Sequence, residues 1–180
     1  MKKIIKNIKD VGEKYLQKLV TDPIDEDWQK RIDSEWWGKS YSLPITDEKM
    51  IIPLKVRDKL LGFAGHEACM QFEPDDGENI LNRGQFFLGY NANNQKKYKG
   101  KPCRCHENSS LLWDANSDNK DCHICTGYAL SKDGCWRQHS WVVIENPCSY
   151  TVFETTEPRV AYYGFIMSHD ECIEFYNQNT

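Results

Sequence analysis

The second half of the chain contains four short apolar segments separated by polar turns, and this pattern constrains the fold more than any other feature. The segments cover residues 122–130, 136–144, 150–155 and 160–167. Their length and their β-branched and aromatic side chains are typical of strands, and Asn146-Pro147 marks a turn. A segment with helical spacing, residues 108–115, precedes them. The sequence therefore predicts an α+β fold in which a helix packs on an antiparallel sheet of about four or five strands.

The first half is less regular. Residues 2–20 carry apolar side chains three and four positions apart, which predicts a helix docked at the edge of the core. Residues 24–60 are rich in tryptophan, and Ile51–Val56 is interpreted as extended because Pro53 interrupts it. Glycines at several positions of 57–90 predict turns and short strands, and the polar stretch 91–100 predicts a loop.

Bulk properties exclude several classes of protein. The net charge of −4, without a long basic stripe, argues against nucleic-acid binding. No apolar run approaches the roughly 18 residues that span a bilayer, so no membrane partner is expected. The basic start Met1–Lys6 does not continue into a secretory apolar region. We expect a cytoplasmic protein.

Three residues of the second half have the chemistry of a thiol active site. Cys105 lies at the mouth of the predicted helix, His139 opens an apolar strand, and Glu154 lies in the next strand. A cysteine nucleophile requires a thiol, a base that takes its proton and a group that orients the base. A helix N-terminus also favours the thiolate. Neighbouring antiparallel strands bring positions such as 139 and 154 side by side.

The motifs around these residues resemble those of a known family. Cys105 at a helix start, Gly127-Tyr128-Ala129-Leu130, His139-Ser140-Trp141 and Phe153-Glu154-Thr155-Thr156 are similar to the core of the transglutaminase-like branch of the papain-like cysteine enzymes. The chain departs from the family in having Glu rather than the commoner Asp and no proline directly after it.

The resemblance implies a papain-like or transglutaminase-like core with Cys105 as nucleophile, His139 as base and Glu154 as orienting acid. We expect one domain, 1–180, in which 1–60 form a helical, aromatic-rich extension and 61–180 the catalytic-like core. The family includes proteases, amidases, deamidases and acyl-transferring cross-linkers, so the expected partner is a peptide, a protein or a small amide. No cofactor is implied.

Four further residues are weaker candidates for this site. Gln85 could supply an oxyanion donor besides the backbone N–H at the helix start. Trp36, Trp37 and Trp141 could bind substrate, because aromatic rings offer area and orientation together. A tryptophan cluster is more often part of the core, however.

Zinc binding is the rival interpretation. The chain has eight cysteines, and Cys103, Cys105, Cys122 and Cys125 have a spacing that suits four thiolate ligands. A zinc-bound Cys105 would not be a free nucleophile. The main hypothesis is therefore a cysteine hydrolase or acyltransferase that cleaves an amide or related acyl bond through a thioester. The alternative is a zinc-stabilised, non-enzymatic binding module.

Overall fold

One mixed sheet organises the part of the chain that the structure, a computed structural model, describes: Val20 and residues 48–70, 74–88, 95–98 and 100–180. The helices are α1 (Glu48–Leu61), α2 (Pro74–Arg83), α3 (Cys105–Asp114) and α4 (His169–Asn179). The strands are β1 (Glu67–Cys69), β2 (Gln85–Leu88), β3 (Gln95–Lys97), β4 (Cys122–Leu130), β5 (Cys135–Asn146), β6 (Ser149–Glu154) and β7 (Ala161–Ile166). The predicted helix over 2–20 falls almost entirely outside these residues, as do Trp28, Trp36 and Trp37.

The sheet has seven strands in the order β2-β7-β4-β5-β6-β3, with β1 beside the start of β5. The pairs among β2, β7, β4, β5 and β6 are antiparallel, whereas β1–β5 and β3–β6 are parallel. The α+β class is confirmed. The sheet is larger than predicted and is mixed, because β3 pairs in parallel with β6 at one edge and β1 pairs in parallel with the start of β5.

The predicted order of the last strands is wrong. β7 pairs with β4 and β2 instead of continuing the meander beside β6. The backbone N–H of Val160 bonds to the carbonyl of Leu130, 2.8 Å away, and so starts this pairing. Residues 161–165 are all buried, which suits a strand with neighbours on both sides.

The sheet is strongly curved, so that side chains from β2 and β6 contact each other across its concave face. Phe87 on β2 packs edge-on against Tyr150 on β6 with ring centroids 5.5 Å apart, although three strands lie between β2 and β6 in the sheet. The concave face is filled by side chains of the sheet itself: Phe87, Cys125, Ala129, Trp141, Val143, Val152 and Tyr162. The convex face carries the helices and a second apolar cluster, which includes Ile124, Trp136, Val142, Leu112 and Trp113.

Helix α1 replaces the extended segment predicted over Ile51–Val56. Pro53 lies inside this helix, where it can donate no backbone hydrogen bond. Val56 and Leu60 are almost fully buried in the convex-face core. Burial of each such side chain stabilises the fold by about 1.5–3 kcal/mol, which offsets the cost of the proline. Two residues of the predicted extension therefore belong to the core.

Two other elements were not predicted. Helix α2 occupies part of the region that was assigned to turns and short strands. Its start, Pro74 followed by Asp75 and Asp76, is a common helix N-terminal signature that the nearby glycines obscured. Strand β3 lies in the predicted loop over 91–100. It pairs with β6 through its backbone, and the side chains of this stretch have no pattern that would predict a strand. Within the described residues, no helix combines the length and apolar character needed to cross a membrane.

Candidate active site

The site lies at an interruption in the pairing of β5. On the edge of β5 that faces away from β4, β1 pairs with Cys135–Arg137 and β6 pairs with Val142–Asn146. Within the described residues, no strand pairs with residues 138–141 on that edge. The first turn of α3 occupies the space, and the backbone N–H of Ser140 donates a hydrogen bond to the Cys105 sulfur.

The residues before α3 aim Cys105 at this interruption. Cys103 has φ +57°, a left-handed conformation that non-glycine residues seldom adopt, and it turns the chain into the helix. The buried side chain of Asn108 then holds the preceding segment: it accepts from the Lys101 N–H at 2.9 Å and donates to the Lys101 carbonyl at 2.7 Å. This backbone strain beside a half-buried thiol is typical of functional sites.

His139 contacts both of its predicted partners. Its Nε2 lies 3.1 and 3.0 Å from the two carboxylate oxygens of Glu154. Its side chain also forms a hydrogen bond with that of Cys105. Since Nε2 faces the carboxylate, Nδ1 is the ring nitrogen that remains for the sulfur. The structure thus brings together the three residues that the sequence singled out.

Glu154 is fully buried and is held by three donors besides His139. The hydroxyl of Tyr162 donates to Oε2 at 2.6 Å. The Thr156 backbone N–H and hydroxyl donate to Oε1 at 2.7 and 2.9 Å. Burial raises the pKa of Glu154, but these bonds and the charge of His139 outweigh it and hold the pKa at about 2. Glu154 is therefore a carboxylate at neutral pH.

Electrostatics favour an ion pair between the sulfur and the ring. Burial lowers the pKa of His139, but its bonds to Cys105 and Glu154 and their charges raise it to about 9. Burial raises the pKa of the Cys105 thiol, but the bond to His139, the imidazolium charge and the Ser140 N–H together hold it below its usual value. Both shifts favour a thiolate beside an imidazolium.

Two aromatic rings that contact each other lie beside the imidazole. The His139 ring lies nearly parallel to Trp141 and Tyr162, with centroids 6.3 and 6.1 Å away. Only 3% of His139 is exposed, whereas Cys105 is half-buried, so a substrate approaches the sulfur first. Trp141 is fully buried. The ring packs against His139 and Tyr162, and its contact with a substrate stays a prediction.

The start of α3 offers an oxyanion donor. Cys105 is the first helical residue, and the first intrahelical bond of the ladder runs from the Asn108 N–H to the Arg104 carbonyl. The N–H groups of residues 105–107 therefore have no acceptor within the helix. Gln85 lies on β2, and its side chain hydrogen-bonds to that of Tyr150. Its role as an oxyanion donor stays a prediction, and Trp36 and Trp37 lie outside the described residues.

The four cysteines of the predicted zinc site do not converge. Cys122 and Cys125 are three residues apart on β4, so they point to opposite faces: Cys122 joins the convex-face cluster and Cys125 the concave-face cluster. Cys103 is exposed, and Cys105 bonds to His139. Over the described ranges, no group of three or more His, Cys, Asp or Glu side chains is arranged to hold a metal. The strand periodicity of β4 contradicts the zinc interpretation.

Sequence reasoning missed three contributors to the site: Tyr162, Thr156 and the backbone of Ser140. Thr156 follows Glu154 by two residues, so a local carboxylate–threonine bond was within reach of the sequence. Tyr162 gave no such signal, because it reaches Glu154 across the inside of the curled sheet. The Ser140 N–H can donate to Cys105 because, among the described residues, no strand pairs with β5 at that point.

Comparisons with protein families, with curated protein sequences and with solved structures each found no match.

Proposed function

We propose that the protein is a cysteine-nucleophile hydrolase or acyltransferase acting on an amide or related acyl bond. One observation carries the proposal: the thiol at the start of α3 bonds to a buried histidine, which in turn bonds to a buried, ionised glutamate. Structural cysteines and histidines do not require this arrangement, whereas nucleophilic catalysis does.

In the proposed reaction, the Cys105 thiolate attacks the carbonyl carbon of the substrate. A carbon–sulfur bond forms, and the carbonyl electron pair moves to oxygen, which the backbone N–H of Cys105 stabilises. When the intermediate collapses, the carbon–nitrogen bond breaks and the leaving amine takes the proton of the His139 imidazolium. A thioester remains on Cys105.

Water or a second amine then attacks the thioester while His139 accepts its proton. Collapse of this second intermediate breaks the carbon–sulfur bond and restores the thiolate. Water gives hydrolysis and an amine gives acyl transfer. Throughout the cycle Glu154 stays ionised, orients the ring through Nε2 and stabilises the imidazolium.

The order of elements supports a papain-like or transglutaminase-like core as part of the same proposal. A nucleophile begins a helix, the histidine lies on a later strand of the sheet packed against that helix, and the acid ends the next strand. The substrate class is then a peptide, a protein or a small amide. Neither an organic cofactor nor a metal ion is needed for this chemistry, and a cytoplasmic location stays a prediction.

The decisive test is alkylation of the native protein with iodoacetamide at about pH 6, where an ordinary thiol is almost fully protonated. We expect Cys105 to be labelled faster than Cys103 and Cys148, which are the exposed cysteines and act as internal references. Mass spectrometry of timed samples gives the rate at each site. A Cys105→Ala variant should keep the fold and lose turnover of any substrate found.

The histidine is tested in the same assay. We expect His139→Ala to slow labelling of Cys105 at pH 6 while leaving Cys103 and Cys148 unchanged. If Cys105 of the unmodified protein reacts no faster than those two residues, the proposal fails. A binding module without catalysis would then be the better description.

A further inference from the structure

A second histidine lies directly beside the nucleophile, and the mechanism above does not use it. His106 is the second residue of α3, and its Nδ1 lies 2.8 Å from the Ser140 hydroxyl oxygen. Phe175 of α4 packs edge-on against the ring with centroids 5.5 Å apart, which restricts its rotation. The Ser140 hydroxyl also forms a hydrogen bond with that of Thr126 on β4, with 3.1 Å between the two oxygens.

The charge of His106 follows from its surroundings. A serine hydroxyl has one proton, so Ser140 can donate to only one of its two neighbours, His106 Nδ1 and the Thr126 hydroxyl, and can accept from the other. The bond between His106 and Ser140 therefore forms with Nδ1 as either donor or acceptor. Burial, together with the charge of His139, lowers the pKa of His106 and favours the neutral ring. His106 is therefore a hydrogen-bond partner of Ser140 and not a second cation beside the thiolate.

The position of Ser140 gives this bond its importance. Ser140 lies on the stretch of β5 that, in the part of the chain that the structure describes, pairs with no strand on one edge, so hydrogen bonds to a neighbouring strand do not fix it from that side. Two consecutive residues of α3 hold it instead: Cys105 accepts a hydrogen bond from its backbone N–H, and His106 forms a hydrogen bond with its side chain. The residue before Ser140 is His139, whose side chain points to the concave face.

We propose that His106 is a positioning residue: through Ser140 it fixes the first turn of α3 against β5 and so sets the distance between the Cys105 sulfur and the His139 ring. This inference rests on the proposed function and extends it. His106 does not touch the reacting atoms. Its effect reaches them through Ser140. The backbone N–H of Ser140 donates to the Cys105 sulfur, and Ser140 directly follows His139 in β5.

The experiment measures the rate of Cys105 alkylation by iodoacetamide as a function of pH, which reports the thiolate fraction. Three variants test the bond. His106→Phe and Ser140→Ala remove it. His106→Asn can keep it, because the amide nitrogen of asparagine is separated from Cβ by the same number of covalent bonds as Nδ1 of histidine. His169→Phe is the matched control, because His169 also packs on an aromatic ring of the helical layer, Trp113, but lies away from Ser140.

We expect His106→Phe and Ser140→Ala each to slow Cys105 labelling at pH 6 roughly tenfold, which corresponds to a thiol pKa about one unit higher. The rates should converge at alkaline pH, where the thiol is ionised in every variant. His106→Asn should recover most of the rate, and His169→Phe should match the unmodified protein. The double variant should be no slower than either single one, because both changes remove the same bond.

Thermal melting separates positioning from simple loss of structure. A variant that only loosens the fold lowers the melting temperature without moving the pH at which the rate rises. The inference is overturned if His106→Phe and Ser140→Ala keep the original pH profile, or if His106→Asn is as slow as His106→Phe. If the unmodified protein itself shows no activated Cys105, the proposed function has failed instead, and the two failures are thereby distinguished.

Discussion

Two opposite effects act on the Cys105 thiol, and their balance decides whether it behaves as a core cysteine or as a nucleophile. Burial alone disfavours a thiolate, as the five fully buried cysteines demonstrate. Burial raises the pKa of Cys69 to about 12, and those of Cys122, Cys135 and Cys172 to about 11. Cys105 differs from them in having an imidazolium beside its sulfur. A backbone N–H alone is not enough, because Cys172 accepts one from Ile124 and its pKa is still raised.

At the residue scale, the contribution of Glu154 can be tested by Glu154→Gln, which keeps the shape and removes the charge. The carboxylate raises the pKa of His139, so its loss destabilises the imidazolium and, with it, the thiolate. We expect Cys105 alkylation at pH 6 to slow by about tenfold or more, since each pKa unit is a factor of ten. The pH–rate profile measured with iodoacetamide gives the shift.

Glu157→Gln is the matched control for this change. Glu157 lies three residues further on and is exposed, where it pairs with Arg159. Its loss should leave the Cys105 profile in place. Equal profiles for Glu154→Gln and the unmodified protein would show that the buried carboxylate does not support the ion pair.

At the scale of elements, the site depends on close approach between strands. Gly127 on β4 lies opposite His139 on β5 and opposite Gly164 on β7. A Cβ atom at Gly127 would lie 2.4 Å from the Tyr163 carbonyl oxygen and 2.5 Å from the Gly164 Cα. Only glycine lets β4 and β7 approach this closely directly beside His139.

We therefore expect Gly127→Ala to push β7 away from β4 and to destabilise the protein by about 1–3 kcal/mol, the usual cost of overpacking. Because the strain falls beside His139, Cys105 labelling should slow as well. Urea denaturation measures the first effect and timed alkylation the second. Gly62→Ala is the control, since its nearest contact, to the Asp58 carbonyl, would be 3.2 Å. A Gly127→Ala variant as stable as Gly62→Ala would contradict the argument.

At the scale of the whole molecule, the curvature of the sheet completes the site. Tyr162 on β7 and Glu154 on β6 are separated by β4 and β5 in the sheet, yet their side chains are 2.6 Å apart. Curling brings the two strands together across the concave face, where Trp141 fills the remaining space. The hydrogen bond from Tyr162 to Glu154 therefore depends on the curvature of the sheet. Protonation of Glu154 is consequently coupled to the stability of the fold.

This coupling predicts how stability changes in acid. The folded-state pKa of Glu154, about 2, lies below the value of roughly 4.3 for an unfolded glutamate. The group thus stabilises the fold above about pH 4.3, and this contribution is lost as the pH falls towards 2. Tyr162→Phe removes one bond to the carboxylate and raises its folded-state pKa, so the contribution of Glu154 to stability should become smaller and its loss should be complete at a higher pH, while the onset near pH 4.3, which the unfolded chain sets, stays in place. Melting temperatures between pH 2 and 6 measure it.

Tyr163→Phe provides the matched comparison. The Tyr163 hydroxyl donates to the Gly84 carbonyl on the other face of the sheet and has no contact with Glu154 among those described. Its removal costs about 1 kcal/mol at every pH. If Tyr162→Phe and Tyr163→Phe gave melting curves of the same shape against pH, the link between Glu154 and acid stability would be wrong.

The sequence by itself determined the helix that carries Cys105, the four strands β4 to β7 and the pairing of His139 with Glu154. These features follow from local information: apolar periodicity specifies strands and helices, a helix N-terminus has a defined field, and a turn between two antiparallel strands places positions 139 and 154 together. The resemblance to cysteine enzymes added roles to the same residues.

Three features could be seen only in the folded protein: the pairing of β7 with β4 and β2, the interruption in the pairing of β5 at Ser140, and the contacts of Tyr162 and His106 with the site. Each of these depends on contacts between residues far apart in the chain, for which side-chain periodicity carries no signal. The zinc interpretation failed for the related reason that a spacing of three residues places Cys122 and Cys125 together on a helix or a turn but apart on a strand. Cys105 is half-buried, unlike the five buried cysteines, and its sulfur accepts the Ser140 N–H. Both of these features came from the folded sheet alone.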